Sequence, residues 1–470
     1  MFLRAEGFGN ISSSHYDHNN LLRHSAQPPL SPQCKGRSNH SEDRISQLPD
    51  EILICILSCL PMKEAARTSV VSSRWKELWT YTTGTFNFEA LKLLRKLRRK
   101  GNWKILGVER ANYISWVNRV LNSHKGATLD EFRIHFDLDS SSTSDIDNWV
   151  HFAMEKRVQR LELNLKRLHS NIPEGHYNLS SMRSLDFSRL ESLTAIRFTY
   201  VDVTAKCLEC FLSSCPFLEE VSVDNSACLV NVKVYGQSLK HLKIAYCWFL
   251  EDIEISAKSL VSLEYFGHQI NLCFKSACHL SKLNLGGQFC KFMKFSQFSS
   301  YTSQLQTLVL KLDYEVFDNF PKFPELRNLK HLTLKVYPYR IRSFLPCISL
   351  IEAAPCLYRF CLEVFYGNID CPGRYSLQGK VVQGRAEKRL LKCPKVVELV
   401  GFTGCEVDVE LAMYLFENFV SLEKINIDTR PPYLIGAENE NVEDENRLAA
   451  KMCAMRLQSK LPRGVELMII

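Results

Sequence analysis

Between residues 48 and 79 the apolar positions are too crowded for one buried stripe to absorb. Ile52 to Leu57 is an unbroken apolar run, and Leu60 follows just beyond it. Pro49 suits the first turn of a helix, where its missing N–H costs nothing, and Asp50 and Glu51 suit the positive end of the helix dipole. The pattern predicts a helix from there to about Cys59, stopped by Pro61. A second helix fits Lys63–Thr68, and a third fits Ser73–Trp79 with Ser72 or Ser73 as its cap. Three short helices hide one stripe each. They cannot also hide the opposite side of Ile52–Leu57, because so small a module buries too little surface on its own. The surplus must pack on the rest of the chain or face another protein.

Downstream the period changes. A template L-x-x-L-x-L, with other apolar residues tolerated, fits Val158/Leu161/Leu163, Met182/Leu185/Phe187, Leu218/Val221/Val223, Leu239/Leu242/Ile244 and Leu260/Leu263/Tyr265. It fits again at Leu280/Leu283/Leu285, Leu305/Leu308/Leu310, Leu329/Leu332/Leu334, Leu357/Phe360/Leu362 and Leu422/Ile425/Ile427. Most steps are roughly 20–28 residues, the leucine-rich-repeat period. One strand with its returning segment cannot bury its apolar face alone, whereas stacked units bury a continuous core. The middle residue of each L-x-L then points to the concave side. Those residues are Glu162, Asp186, Ser222, Lys243, Glu264, Asn284, Val309, Thr333, Cys361 and Asn426, a mixture without a single charge. Pro394 stands where the template wants an apolar residue, so the unit around it is expected to depart from a regular repeat.

A basic stretch joins the two patterns. Residues 89–104 carry Lys92, Arg95, Lys96, Arg98, Arg99, Lys100 and Lys104, with Leu91, Leu94 and Leu97 spaced as an inner side. It reads as a solvated amphipathic helix or loop, or as a nuclear-import or nucleic-acid patch. No aromatic residue interleaves the basic run, so stacking on single-stranded bases is poorly supported. Beyond it, Tyr113–Leu121 has helical spacing, Leu129–Phe136 alternates like a strand, and Asp145–Lys156 reads as a helix with Ile146, Trp149, Val150 and Phe152 apolar.

The sequence Leu48-Pro-Asp-Glu-Ile-Leu, then Ile56-Leu57-Ser58-x-Leu60-Pro61, then Val70-Val71-Ser72-x-Arg74-Trp75 closely resembles the F-box. That resemblance implies docking on the Skp adaptor of a cullin–RING ubiquitin ligase. By motif position it implies that Leu48, Pro49, Ile52, Leu53, Ile56, Leu57, Leu60, Pro61, Val70 and Val71 face or support the adaptor, with Trp75 locking the third helix. Val397-x-Leu399-x-Gly401-Phe402-x-Gly404, Glu410-Leu411, Tyr414-Leu415-x-Glu417-Asn418 and the ending Leu461-Pro462-x-Gly464-Val465-Glu466-Leu467 resemble the FBD region of plant F-box/leucine-rich-repeat proteins. An acidic spacer, Glu438–Glu445, precedes the last helix and strand.

The expected fold class is α/β: a small three-helix F-box followed by an irregular leucine-rich-repeat solenoid, a curved parallel sheet with outer helices and loops. The expected organisation is a disordered segment over 1–41, the F-box over 42–81, a basic joint and entry unit over 82–157, repeats over 158–393 and an FBD-like region over 394–470. The expected role is a non-catalytic substrate receptor that holds the adaptor, through it cullin and RING subunits, and a target protein on the concave face. The competing reading is a scaffold for protein or nucleic acid without ubiquitin transfer. A small molecule that glues the target is a third, less favoured reading. The expected location is the nucleus, the cytoplasm or both.

Composition changes this picture little. The 470 residues are 46% hydrophobic and 23% charged, with a net charge of +8 that permits an acidic partner without demanding nucleic acid. The start lacks the apolar core of a secretory signal, and no stretch approaches the ~18 apolar residues of a membrane span. The 18 cysteines are scattered, without the spacing of a disulfide scaffold. Cys207, Cys210 and Cys215 have no second pair at zinc-ligand spacing and read as small core thiols. Cys55 and Cys59 read as core or interface, and the repeat pattern accounts for Cys273, Cys278 and His279. Gly373–Val381 resembles a P-loop but has one residue too many between its glycines, and Val381 replaces the hydroxyl that would hold magnesium. No cofactor is expected, and neither membrane nor nucleic acid is an expected partner.

Overall fold

The structure is a computed structural model that describes residues 45–101, 103–168, 175–181, 190–292, 301, 303–318, 320, 323–338, 341–366, 391–437 and 444–470. The expected disordered segment, the Met182/Leu185/Phe187 repeat with Asp186, and the Gly373–Val381 stretch lie outside the described residues. Three helices open the chain: α1 (Asp50–Ser58), α2 (Met62–Arg67) and α3 (Trp75–Leu78), the last continued by a 3-10 turn over Trp79–Tyr81. Each gives its apolar stripe to the buried cluster, through Leu53, Leu57, Met62, Ala65, Trp75 and Leu78.

Fourteen described strands then form a single sheet in which every neighbouring pair is parallel. The sheet begins with β1 (Thr85–Glu89), β2 (Glu131–His135) and β3 (Arg160–Asn164) and ends with Glu466–Ile469. The strands alternate: in His331–Tyr337 the residues Leu332, Leu334 and Val336 are buried, while Thr333 and Lys335 look out. Register carries the pattern from unit to unit, so Leu332 lies beside Leu308 and Phe360, and Leu334 beside Leu310 and Leu362. Helices close the far side in some units, such as Ala205–Ser214, Glu406–Asn418 and Glu445–Leu457. Elsewhere a second, three-stranded sheet of Asn231–Tyr235, Asp252–Ser256 and Asn271–Ser276 does so.

Three placements differ from the sequence reading. The sheet already starts at Thr85, inside the expected joint. β3 pairs directly with Ala195–Thr199, a strand the sequence reading did not place, and that strand pairs in turn with Glu220–Asp224. Val396–Val400 lies in register between Arg359–Val364 and Lys424–Asp428 and buries Val397 and Leu399. Pro394 does not interrupt it, because that residue sits before the strand and forfeits no ladder hydrogen bond, a place where proline is tolerated. The basic stretch folds as helix α4 (Leu91–Lys100), with Leu94 and Leu97 buried and Lys92, Arg95, Lys96, Arg98 and Arg99 exposed. It is followed by α5 (Leu106–Ser123) and α6 (Thr143–Glu155), which supply Tyr113, Val117, Trp149 and Val150 to the core.

The first three helices are bonded to the end of the sheet. Lys125 N and Gly126 N both donate to Thr80 O, at 2.8 and 3.2 Å, and Asp130 N donates to Thr83 O at 2.7 Å. Thr83 N donates to Ser58 Oγ at 3.0 Å, and a Cβ on Gly84 would meet Ser58 O at 2.1 Å, so only glycine lets the two backbones approach there. His124 is buried at this seam, its ring against Phe86 and its Nε2 2.9 Å from Thr82 O. Because a carbonyl only accepts, Nε2 carries the proton. Burial holds the imidazole below its usual 6.5, partly offset by that hydrogen bond, and Lys156 nearby also disfavours charge. Above the unfolded value both states are neutral. Below it the unfolded chain takes up a proton first, so stability falls by up to about 1.4 kcal/mol per pH unit until the folded pKa is reached. Lowering the pH from 7 to 5.5 is therefore expected to lower the melting temperature of the protein more than that of His124→Gln. Equal losses in the two proteins contradict a neutral His124 at the seam.

Candidate functional site

The row of apolar side chains on the first helices splits into two sets. Leu53 and Leu57 are 0% and 1% exposed and belong to the core. Ile52, Ile56 and Leu60 are 46%, 42% and 38% exposed, and Val70 and Val71 are 68% and 59% exposed. Ile52 and Ile56, four residues apart, stand one above the other on α1. Cys55, Cys59, Pro49 and Pro61 are exposed as well, and Leu48 is half-buried. The ten expected adaptor-facing or supporting residues thus comprise seven that are solvent-exposed and apolar, two core residues and the half-buried Leu48. Sequence spacing could not make this division, because both sets are apolar and share the same short helix.

The module is held by a clamp that motif position did not reveal. Arg74 donates from Nε to Asp50 Oδ1 at 2.7 Å, and from its two other nitrogens to Ser46 O and Leu48 O, each at 2.6 Å. A planar guanidinium with five donors can make three such bonds at once. Trp75 is 7% exposed and donates from Nε1 to Ser46 Oγ at 3.2 Å, while Ser72 Oγ accepts from Trp75 N at 3.3 Å. The Arg-Trp pair therefore ties α3 back to the segment that leads into α1.

The second candidate surface is the open face of the sheet, the inner face of a solenoid. Glu162, Ser222, Lys243, Glu264, Asn284, Val309, Thr333, Cys361 and Asn426 fall in one row, strand beside strand. Arg197 and Glu398 complete that row, and Asn87, Arg133 and Met468 extend it to both ends. Cys361 lies in the row but is only 5% exposed, and burial pushes its thiol up to about 12, so it offers no contact surface. Most charges on this face are paired, nearly all across strands: Arg133 with Glu89 and Glu162, and with Glu131 of its own strand; Arg197 with Glu162 and Glu220; Lys243 with Asp224 and Glu264; Lys335 with Glu363; Arg359 with Glu398.

The cysteine cluster read in the sequence is core. Cys207 and Cys215 are buried, Cys210 is half-buried, and burial pushes the first two thiols up to about 11 and about 12. Such thiols stay protonated at neutral pH and are poor nucleophiles and metal ligands. Among the described residues no group of three His, Cys, Asp or Glu is arranged to hold a metal ion, and no helix is long and apolar enough to cross a membrane.

A helical module with an unburied apolar row, joined to a stack of parallel strand units, defines an F-box leucine-rich-repeat architecture. Comparison with known families agrees: the model "F-box domain" matches residues 45–83, and the model "At1g61320/AtMIF1, LRR domain" matches residues 120–461. The chain belongs to that leucine-rich-repeat family and carries an F-box ahead of it. Similar curated proteins include the F-box/FBD/LRR-repeat protein At5g22660 of Arabidopsis thaliana, 29% identical over 278 residues, covering 53% of this chain and 58% of that protein. The F-box/FBD/LRR-repeat protein At5g22700 of the same plant is 28% identical over 234 residues, covering 45% of this chain and 50% of that protein. The matches thus span little more than half the length of these relatives. A solved structure, "Crystal structure of Rad7 and Elc1 complex in yeast", covers 69% of this chain and 91% of its own at 13% identity, but its TM-score of 0.18 carries no argument.

Arg74→Met keeps the aliphatic stem and removes three hydrogen bonds. Because the guanidinium is partly exposed, the expected cost is about 1–2 kcal/mol, well under the sum of three buried charged bonds. Amide hydrogen exchange over residues 46–58 should accelerate in the variant while the strands exchange as before. Unchanged exchange in that segment contradicts the clamp.

Proposed function

We propose that the chain is the target-recognition subunit of a Skp–cullin–F-box ubiquitin ligase. The face formed by Ile52, Ile56, Leu60, Val70 and Val71 takes a Skp-type adaptor, through which cullin and RING subunits join. The open face of the solenoid takes the target protein. The observation that carries the reading is the set of large apolar side chains left in water on a module whose own core is already complete. Fully burying an exposed Val, Leu or Ile side chain gains about 1.5–3 kcal/mol, and these five, each roughly half exposed, retain about half of that to set against the cost of association. In this reading the chain contributes no reacting group. It acts by position, raising the concentration of a target lysine near the charged conjugating enzyme.

The competing reading, a scaffold without ubiquitin transfer, draws on the basic face of α4. Among the described residues Lys92, Arg95, Lys96, Arg98 and Arg99 make no ion pair. Adaptor binding separates the two. Ile52→Asp combined with Ile56→Asp places two carboxylates on exposed positions, so the variant should fold and melt like the parent. A desolvated, unpaired charge costs several kcal/mol, so retention of a purified Skp-type adaptor should fall roughly a hundredfold or more. Undiminished retention by a folded double variant rules this docking face out.

A further inference from the structure

Most charges on the open face pair with one another, but a half-buried lysine near its centre does not. Lys311 lies in register between Gly286 and Lys335, and it makes no ion pair among the described residues. Its Nζ sits 3.5 Å from the centre of the Phe266 ring. A Cβ on Gly286 would fall 2.1 Å from that ring, so Phe266 lies across the strand at a place only glycine leaves free. The lysine is half-buried, and burial lowers its pKa; Glu264 and Glu363 attract it from a distance, while Lys335 and Lys243 repel it. A cation in this state has given up water for an aromatic face, with no ion pair of its own.

Exposed aromatics extend outward from this platform. Tyr246 packs 6.0 Å from Phe266 and 6.2 Å from Trp248, and Trp248 stacks on His268. Tyr246, Trp248 and Tyr337 are 40%, 52% and 46% exposed. Tyr246 has a positive φ of 53°, a conformation that costs a bulky side chain of order 1 kcal/mol or more. Large exposed aromatics around a desolvated cation have the composition of a binding hot spot.

We infer that Lys311, on its Phe266 platform, together with Tyr246, Trp248 and Tyr337, is the docking centre for an extended peptide segment of the target in which one acidic side chain adjoins an apolar or aromatic residue. The inference rests on the reading of the open face as the target surface and locates the contact within it. Charge decides the occupant. One carboxylate satisfies this half-buried, unpaired cation. Asp224, Glu264, Asp313 and Glu363 border the patch, and they repel a phosphate backbone that brings a charge at every nucleotide.

The test uses the full chain, immobilised, and a random heptapeptide phage library. Enriched peptides are synthesised and titrated by fluorescence anisotropy on the parent, Lys311→Gln, Lys311→Arg and Trp248→Ala. The expected enrichment is Asp or Glu beside an apolar or aromatic residue. Lys311→Gln should weaken these peptides about ten- to a hundredfold, the worth of one charged hydrogen bond, at an unchanged melting temperature. Trp248→Ala should weaken them too, and Lys311→Arg should keep most of the affinity. Three results overturn the inference: no enrichment of acidic peptides, equal binding to a folded Lys311→Gln, or tighter binding of a single-stranded oligonucleotide that depends on Lys311. The Ile52→Asp, Ile56→Asp variant must bind the peptides like the parent. Failure of the parent to bind the adaptor counts against the proposed function, whereas peptide binding independent of Lys311 counts against this inference.

Discussion

A strand that buries every second residue needs a covered face, and no single unit of this chain can supply its own cover. Parallel register solves the problem. Leu308, Leu332 and Phe360 stand side by side, as do Leu310, Leu334 and Leu362, so each strand completes the core of its neighbours. The buried side chains form one cluster that runs from Leu53 to Leu457. The same register sets the residues between the leucines in rows on the opposite face. The surface available to a partner is thus fixed by the pairing that makes the core, and a shift of one residue would exchange the two faces.

The stack also fixes the helical module at its start. Thr80, Thr82 and Thr83 give their carbonyls to the first units of the sheet, Ser58 and Gly84 bring the two backbones into contact, and His124 fills the seam. The apolar row on α1 and the open face of the sheet are therefore parts of one body joined by backbone hydrogen bonds. In the proposed role this matters, because positional catalysis requires a target held at a defined place relative to the adaptor.

The period of the apolar residues made the fold legible: a six-residue run with flanking prolines gave three helices, and L-x-x-L-x-L gave most strands with their buried and open faces. What periodicity missed has specific causes. Leu193-x-x-Ile196-x-Phe198 also fits the template, but its place beside Leu161 and Leu163 is a matter of pairing that the sequence alone does not show. Arg197 and Glu398 were missed from the row for reasons of that kind, the second because Pro394 spoiled the first template position. Arg74 looked like a motif residue, but its three acceptors are backbone and side-chain oxygens more than 20 residues away in sequence. The division of Ile52 and Ile56 from Leu53 and Leu57 needed the neighbouring helices in place. Lys311 was invisible because its singularity is relational: it is the lysine whose neighbours are a glycine, a phenylalanine and another lysine.

The account stands or falls on two surfaces with separate tasks on one rigid chain. Hydrogen–deuterium exchange of the full chain, with and without a purified Skp-type adaptor, measures that directly. The account predicts slowed exchange confined to the first helices, over residues 50–60 and 68–71, with the strands of the open face unchanged. Protection spread across the strand rows, or none in the helices despite binding, contradicts it.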